Sequence, residues 1–375
     1  MSMSRNAPLQ FLEFFAGGGM ARIGLGAGWA CGFANDFDPL KAGAYRANFA
    51  DAEGHFHEGD VWQVSPAALP GTADLAWASS PCQDFSLAGG RAGLNGGRSG
   101  AFFGFWRLVQ ALAAEGRAPH TVVVENVVGL LTSHGGADFT ALCAALAGEG
   151  YRFGALEIDA IAFLPQSRPR VFVIATRAPV PVELTGGEAF RSPAVRAVRD
   201  RLPAGLRQQW IDWRLPAPPA RNTRLVDLLE PDDAVAWRSE AQTVALLAQM
   251  SPLHHQRLEA AARNGRVVGA VFRRTRAGVP KAEIRLDGAA GCLRTPRGGS
   301  SRQMILVAED GQLRSRLLTG REGARLMGLP DDYQLPKSQT GSLHVIGDGV
   351  CAPVVRWLAQ GLLEPLLKGV GRAAA

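Results

Sequence analysis

Cys82 is the residue in this chain best placed to do chemistry. It follows the short apolar run 73–78 and Ser79-Ser80-Pro81, and it precedes the loop 86–104, which carries glycines at 89, 90, 93, 96, 97, 100 and 104. The run reads as a buried parallel strand stopped by Pro81, which puts the thiol at the carboxyl end of a sheet, where open α/β folds bind ligands. A thiol there can act as a covalent nucleophile; it can equally be an inert buried cysteine beside a surface loop. Charged residues elsewhere shift that balance. Glu125 and Asn126 close the apolar strand Thr121-Val122-Val123-Val124, and a charge at the end of a central strand is costly unless paired or used. Arg168 and Arg170, in Gln166-Ser167-Arg168-Pro169-Arg170, are spaced by two and share a face if the segment is extended.

A second group of residues suggests nucleotide chemistry. Leu9 to Phe15 reads as a strand running into Ala16-Gly17-Gly18-Gly19 and then a helix from Met20, the arrangement that lets backbone approach a phosphate or nucleoside closely. The dehydrogenase spacing fails, because the sixth position counted from Gly17 is Arg22. Asp36 nevertheless stands at the tip of the next strand, 19 residues after Gly17, where a carboxylate can accept from both ribose hydroxyls of an adenosine-containing cofactor. Asp60, in Gly59-Asp60-Val61, is placed to accept from an adenine amino group or to cap a surface turn.

These residues need a large scaffold. With 375 residues, 47% of them apolar and 20% charged, the chain can bury a sizeable core and is neither disordered nor fibrous. No apolar run of 18 residues and no secretory h-region is present, so a cytoplasmic protein without a membrane span is expected. Five scattered cysteines without a Cys-x-x-Cys pair argue against disulfides and zinc, and His55, His57, His254 and His255 read as surface histidines. No metal is expected.

Further along, 102–115 and 139–147 have helical apolar spacing, while 151–161 and 170–176 read as a hairpin-like strand pair. After Arg177 prolines and arginines multiply and periodicity fades, marking a boundary or a long insertion. From 177 to 315 there are 22 Lys and Arg against 14 Asp and Glu, a larger excess than the +6 of the whole chain. Within it, Leu293-Arg294-Thr295-Pro296-Arg297-Gly298-Gly299-Ser300-Ser301-Arg302 suits contacts with phosphates and base edges. Thr319 caps an expected helix to about Met327, and Gly347-Asp348-Gly349-Val350 leads into a last helix.

Taken in order, these motifs resemble the DNA (cytosine-5) methyltransferases of bacterial type. The resemblance rests on Phe14-Phe15-Ala16-Gly17-Gly18-Gly19, Asn35-Asp36-Phe37-Asp38, Gly59-Asp60, Pro81 to Ser86, Glu125-Asn126-Val127, Gln166 to Arg170, Leu318 to Asp331 and Gly347 to Val350. It implies an α/β fold: a class I S-adenosylmethionine-dependent methyltransferase, Rossmann-like, with a mostly parallel seven-stranded sheet and an inserted smaller target recognition domain. The catalytic domain would comprise 1–176 and 315–375, and the target recognition domain 177–314. S-adenosylmethionine would be the cofactor, lined by Phe15, Gly17, Gly18, Gly19, Asp36, Phe37, Asp60, Val61, Pro81, Asp348 and Val350.

The resemblance also assigns roles. Cys82 would add to C6 of a flipped cytosine. Glu125 would act on N3, a task for a carboxyl of raised pKa, and Arg168, helped by Arg170, would hold O2. Asn126 would fix the strand end. Gln83, Ser86, Arg91, Arg98, Arg294, Thr295, Arg297 and Arg302 would contact double-stranded DNA, with the glycine loop as lid. A monomer is expected, with a cognate restriction endonuclease as a possible partner.

The chain departs from the family pattern at Met20, where a further glycine is common, at Asp36-Phe37 in place of Glu-Trp, and at Asp348 in place of Asn. Asp348 is expected to hydrogen-bond locally. A tRNA cytosine-5 methyltransferase and a catalytically silent DNA-binding regulator are the competing functions. The sizeable basic insertion favours duplex DNA over tRNA, and the joint presence of Cys82, Glu125 and Arg168 disfavours the silent binder.

Overall fold

The structure, a computed structural model, describes residues 7–80, 100–263, 265–295 and 302–368. Pro81, Cys82, Gln83, Ser86, Arg91, Arg98 and Arg297 lie outside the described residues. The chain forms two compact units: residues 1–158, 169–217 and 354–375, and residues 159–168 with 218–353.

The first unit is built on a seven-stranded sheet. Its strands are β1 (Leu9–Phe14), β2 (Trp29–Asp36), β3 (Phe56–Glu58), β4 (Leu75–Ala78), β5 (Thr121–Val127), β6 (Arg152–Asp159) and β7 (Pro169–Thr176), in the order β3-β2-β1-β4-β5-β7-β6. β1 pairs in parallel with β2 and β4, and β4 with β5, whereas β7 runs antiparallel to β5. The order reverses between β1 and β4, so the carboxyl ends of these strands open onto the switch point where α/β sheets bind ligands. β4 and most of β5 are buried at every position, as parallel strands covered on both faces must be. The aromatic helix Ala101–Ala114 contributes Phe102, Phe105 and Trp106 to the core on one face, with Phe139 and Leu142 of the helix Ala137–Gly148.

The expected boundary at 177 is too early. Residues up to 217 stay with the sheet: the Ile211 amide donates to the Phe153 carbonyl (2.7 Å), and the Trp213 indole donates to the Ile174 carbonyl (3.2 Å). Gly154 allows this approach, since a Cβ there would stand 2.0 Å from the Ile211 carbonyl oxygen. Proline-rich composition marked the loss of periodic elements, whereas packing against β6 and β7 decides membership.

The second unit carries an antiparallel sheet of β8 (Val267–Arg276), β9 (Val279–Arg285), β10 (Met304–Glu309) and β11 (Gln312–Leu317), in the order β11-β10-β8-β9. Leu246, Met250 and Leu258 from two helices pack with Val271, Ile284, Met304 and Leu306. Residues 315–353 also belong to this unit and do not return to the first; only the chain from 354 does. β11 pairs with β10, and a buried ion pair joins β11 to the helix that follows it. Arg316 and Glu322 are 1% and 0% exposed and bond bidentately at 2.8 and 2.6 Å. Glu322 also accepts from the amides of Glu230 and Thr319, which ties the helix Gly320–Leu326 to β11 and to residue 230. The apolar run 339–368 is long enough to cross a membrane by composition, yet 67% of its window is buried in the fold, as core helices are.

Glu322→Ala leaves the Arg316 guanidinium buried without its partner and is expected to cost about 3–5 kcal/mol, read as a lower urea midpoint; Arg316→Met together with Glu322→Ala should regain much of that loss.

Candidate active site and cofactor cradle

At the end of β1 the chain turns sharply. Phe15, Gly17 and Gly19 have φ of 58°, 56° and 78°, a left-handed backbone that glycine adopts freely and Phe15 adopts only at a cost. Asp36, at the tip of β2, fastens this turn: one carboxylate oxygen accepts from the Gly17 amide (2.8 Å) and the other from the Asp38 amide (2.9 Å). Asp36 is buried, which raises its pKa, while Lys41 and the two amide bonds pull it back. Phe37, next to it, is 67% exposed, an unusual position for a large aromatic without a ligand to cover it. Beside the turn, Asp60 is exposed and caps a short helical turn by accepting from the Trp62 amide (3.0 Å). Val61 faces the other way, into the core with Phe102 and Phe105, so the expectation that it lines a cofactor does not hold for its side chain.

Motif reading missed Asn35 as a site residue. Its buried carboxamide donates to the carbonyls of His57 (3.0 Å) and Gly59 (2.9 Å), and so sets where Asp60 stands relative to Asp36. The only available signal was a polar residue inside an otherwise apolar strand end.

At the end of β5, Glu125 is buried and pairs with Arg170 Nε at 3.1 Å. The antiparallel register places Glu125 opposite Phe172 and Val127 opposite Arg170, so the pair lies diagonally on one face. The Asn126 side chain donates to the Ser80 carbonyl (3.0 Å), and its own oxygen accepts from the Val127 amide (2.8 Å). Ser80, two residues before Cys82 in the sequence, is thereby anchored to the strand end bearing Glu125.

Arg168, the residue expected to hold O2, is bound by backbone carbonyls. It belongs to the second unit, is 1% exposed, and its guanidinium donates to the carbonyls of Leu293 (2.8 Å), Gly347 (2.9 Å) and Gly349 (2.6 Å). These bonds, with one from Nη1 to the Cys292 sulfur (3.4 Å), hold the segment before Arg294 against the turn at 347–349. Gln166 adds to this by accepting from the Leu293 amide (3.0 Å), and Gln303 clasps Gly291 from the far end of the loop.

In the same turn Asp348 is exposed and accepts from the Thr295 hydroxyl, a local hydrogen bond of the kind expected for it. Val350 is buried. Thr295 is therefore engaged, Arg302 donates to the Thr340 hydroxyl, and Arg294 is exposed. Exposed basic residues also line the β8–β9 hairpin, where Arg274 stands opposite Lys281 and Arg276 pairs with Glu283. Sequence reading passed over this hairpin, whose Ala277-Gly278 turn belongs to no motif.

A nucleoside cradle and a carboxylate-arginine pair at adjacent strand ends agree with the match of residues 9–364 to the family model for C-5 cytosine-specific DNA methylases. The chain belongs to that family. It is similar to the Type II methyltransferase M.NlaX of Neisseria lactamica, 27% identical over 94% of this chain and 95% of that protein. It is also similar to the Type II methyltransferase M.HhaI of Haemophilus parahaemolyticus, 26% identical over 94% of each chain. Among solved structures, the S. pombe Dnmt2 methyltransferase shares the fold, with a TM-score of 0.61 at 18% identity over 96% of this chain and 99% of that one. As a DNA methylase the protein is an S-adenosylmethionine-dependent enzyme that methylates C5 of cytosine, and the glycine turn, Asp36 and exposed Phe37 fit an adenosine-containing cofactor.

One buried carboxyl lies outside this chemistry. Glu13 on β1 is pushed by burial up to a pKa of about 8, against the pull of Arg22, from an ordinary 4.5. The folded chain therefore holds a proton that the unfolded chain releases, and stability falls as pH rises between these values. Relative to Glu13→Gln, the wild type is expected to lose up to about 1.4 kcal/mol per pH unit across that window, measured as urea midpoints of both proteins from pH 5 to 8.

Proposed function

We propose that Cys82 is the nucleophile that adds to C6 of a cytosine rotated out of duplex DNA, with Glu125 and Arg170 as its partners at the base. The pairing of Glu125 with Arg170 at the end of β5, beside the strand end that Asn126 anchors two residues before Cys82, is the observation that carries this reading. Cytosine C5 is too poor a nucleophile to take a methyl group unaided. Addition of the thiolate to C6 makes C5 enamine-like; after methylation, loss of the C5 proton and β-elimination restore the ring and free the thiol.

Glu125 acts at N3, where charge develops during addition, and Arg170 holds that carboxyl and reaches O2. Arg168 serves by position: it holds the base of the loop that carries Arg294, Arg297 and Arg302. S-adenosylmethionine, when bound, supplies the methyl group as an electrophilic sulfonium; Asp36 would hold its ribose, Asp60 its adenine amino group, and Phe37 would stack on the adenine.

Base flipping costs a few kcal/mol, offset by protein contacts with the opened duplex. Arg91, Arg98, Arg294 and Arg302, with Gln83 and Ser86, are the side chains we assign to DNA, and Arg274, Arg276 and Lys281 of the β8–β9 hairpin join them. The protein works as a cytoplasmic monomer on a specific duplex sequence, alongside a cognate endonuclease.

Transfer of tritiated methyl to mixed-sequence duplex DNA and to tRNA, followed by bisulfite sequencing, tests this reading. Label on duplex DNA should vanish in Cys82→Ser and fall by about 10²–10³ in kcat in Arg170→Ala. Arg168→Ala should weaken DNA binding more than it slows the chemical step. Label on tRNA alone would change the substrate, and label on neither would sink the assignment.

A further inference from the structure

The glycine turn is carried by the helix Met20–Leu25, which at six residues is too short to hold itself together. Its Arg22 side chain is the fixing point. The guanidinium grips the Asp51 carboxylate through one nitrogen (2.8 and 2.7 Å), and its other nitrogen donates to the Tyr45 hydroxyl (3.1 Å) and His55 Nε2 (2.9 Å). Burial, and then Arg22 itself, lower the His55 pKa, which keeps the ring a neutral acceptor for that bond. The guanidinium also lies over the Phe49 ring, 4.1 Å from its centroid.

Phe49 is what the turn leans on. A Cβ at Gly19 would come within 2.2 Å of the Phe49 ring and 3.1 Å of Tyr45, and those two rings touch at a tilt of 48°, their centroids 4.6 Å apart. The same group of residues therefore touches Arg22 on one side and the turn on the other. Gly17, two residues before Gly19, donates its amide to Asp36. Glu13, Cys31 and Asp36 are the other titratable groups close to this cluster, and Glu13 accepts from the Arg22 backbone.

We propose that Arg22 is a positioning residue for the cofactor, holding the glycine turn in its binding-competent shape through Phe49, Tyr45 and Asp51 without touching the cofactor. This rests on the reading of the turn and Asp36 as the S-adenosylmethionine cradle. Loss of the clamp reduces the fraction of molecules whose turn is competent, and the apparent dissociation constant rises by the inverse of that fraction. Lysine cannot replace the guanidinium, because a single ammonium cannot grip Asp51, Tyr45 and His55 in one plane.

The test is calorimetric titration of the full chain with S-adenosylmethionine, alongside methyl transfer at saturating cofactor and thermal unfolding. In Arg22→Met the dissociation constant for S-adenosylmethionine should rise about tenfold, and in Arg22→Lys nearly as much. Asp51→Asn, a change at an exposed residue that leaves the core intact, should raise it about threefold and decides the matter if Arg22→Met does not fold. DNA affinity and kcat at saturating cofactor should stay within about twofold of wild type. A lower melting temperature with unchanged cofactor affinity in Arg22→Met and Asp51→Asn would overturn the inference. Asp36→Ala is the control: if it leaves cofactor affinity unchanged the cradle reading itself fails, whereas a loss there with none in the Arg22 and Asp51 variants counts against Arg22 alone.

Discussion

A carboxylate buried at the end of a central strand must be paired, and the pairing of Glu125 with Arg170 depends on β7 running antiparallel to β5. A parallel strand in that place would need a long crossover, and its register would not put an arginine diagonal to Glu125. The antiparallel neighbour thus does two things. It completes the sheet beyond β5, and it brings a cation to the buried carboxylate at the end of that strand. Asn126 extends the same logic to β4, since one carboxamide fastens the Ser80 backbone and is itself held by the Val127 amide.

The cofactor side follows a different economy of charge. Asp36 is buried, yet both its oxygens accept backbone amides, so a carboxylate can sit at the tip of β2 beside a turn made of left-handed residues. Asn35 and Asp60 set the neighbouring strand end in the same way. Each polar residue here shapes backbone first and meets a ligand second, which is why the cradle exists before anything is bound. Phe37 is the exception, an exposed ring that packs on nothing of its own size in the protein.

In the second unit, backbone carbonyls receive the charges. Arg168 spends its donors on Leu293, Gly347 and Gly349, while Gln166 and Gln303 tie the strands that lead into and out of the 292–302 loop. Arg316 and Glu322 play the equivalent part for the rest of the unit.

Spacing along the chain was enough to single out the glycine turn, Asp36, Asp60, Glu125 and the arginine pair as candidates, and to recognise the sheet from its apolar runs. Such features are local: each needs only a strand, its end and a turn, and each leaves a residue type where the pattern calls for a different one. What the order of residues could not determine were choices made by contacts distant in sequence. Whether Arg168 or Arg170 meets Glu125 depends on the register of β5 against β7 and on carbonyls more than a hundred residues away. The boundary at 217 depends on Trp213 bonding the Ile174 carbonyl, and the membership of 315–353 on the pairing of β11 with β10 and the bond from the Glu230 amide to Glu322. Two arginines spaced by two are equivalent in a sequence; only tertiary structure, by supplying a carboxylate to one and backbone carbonyls to the other, makes them different.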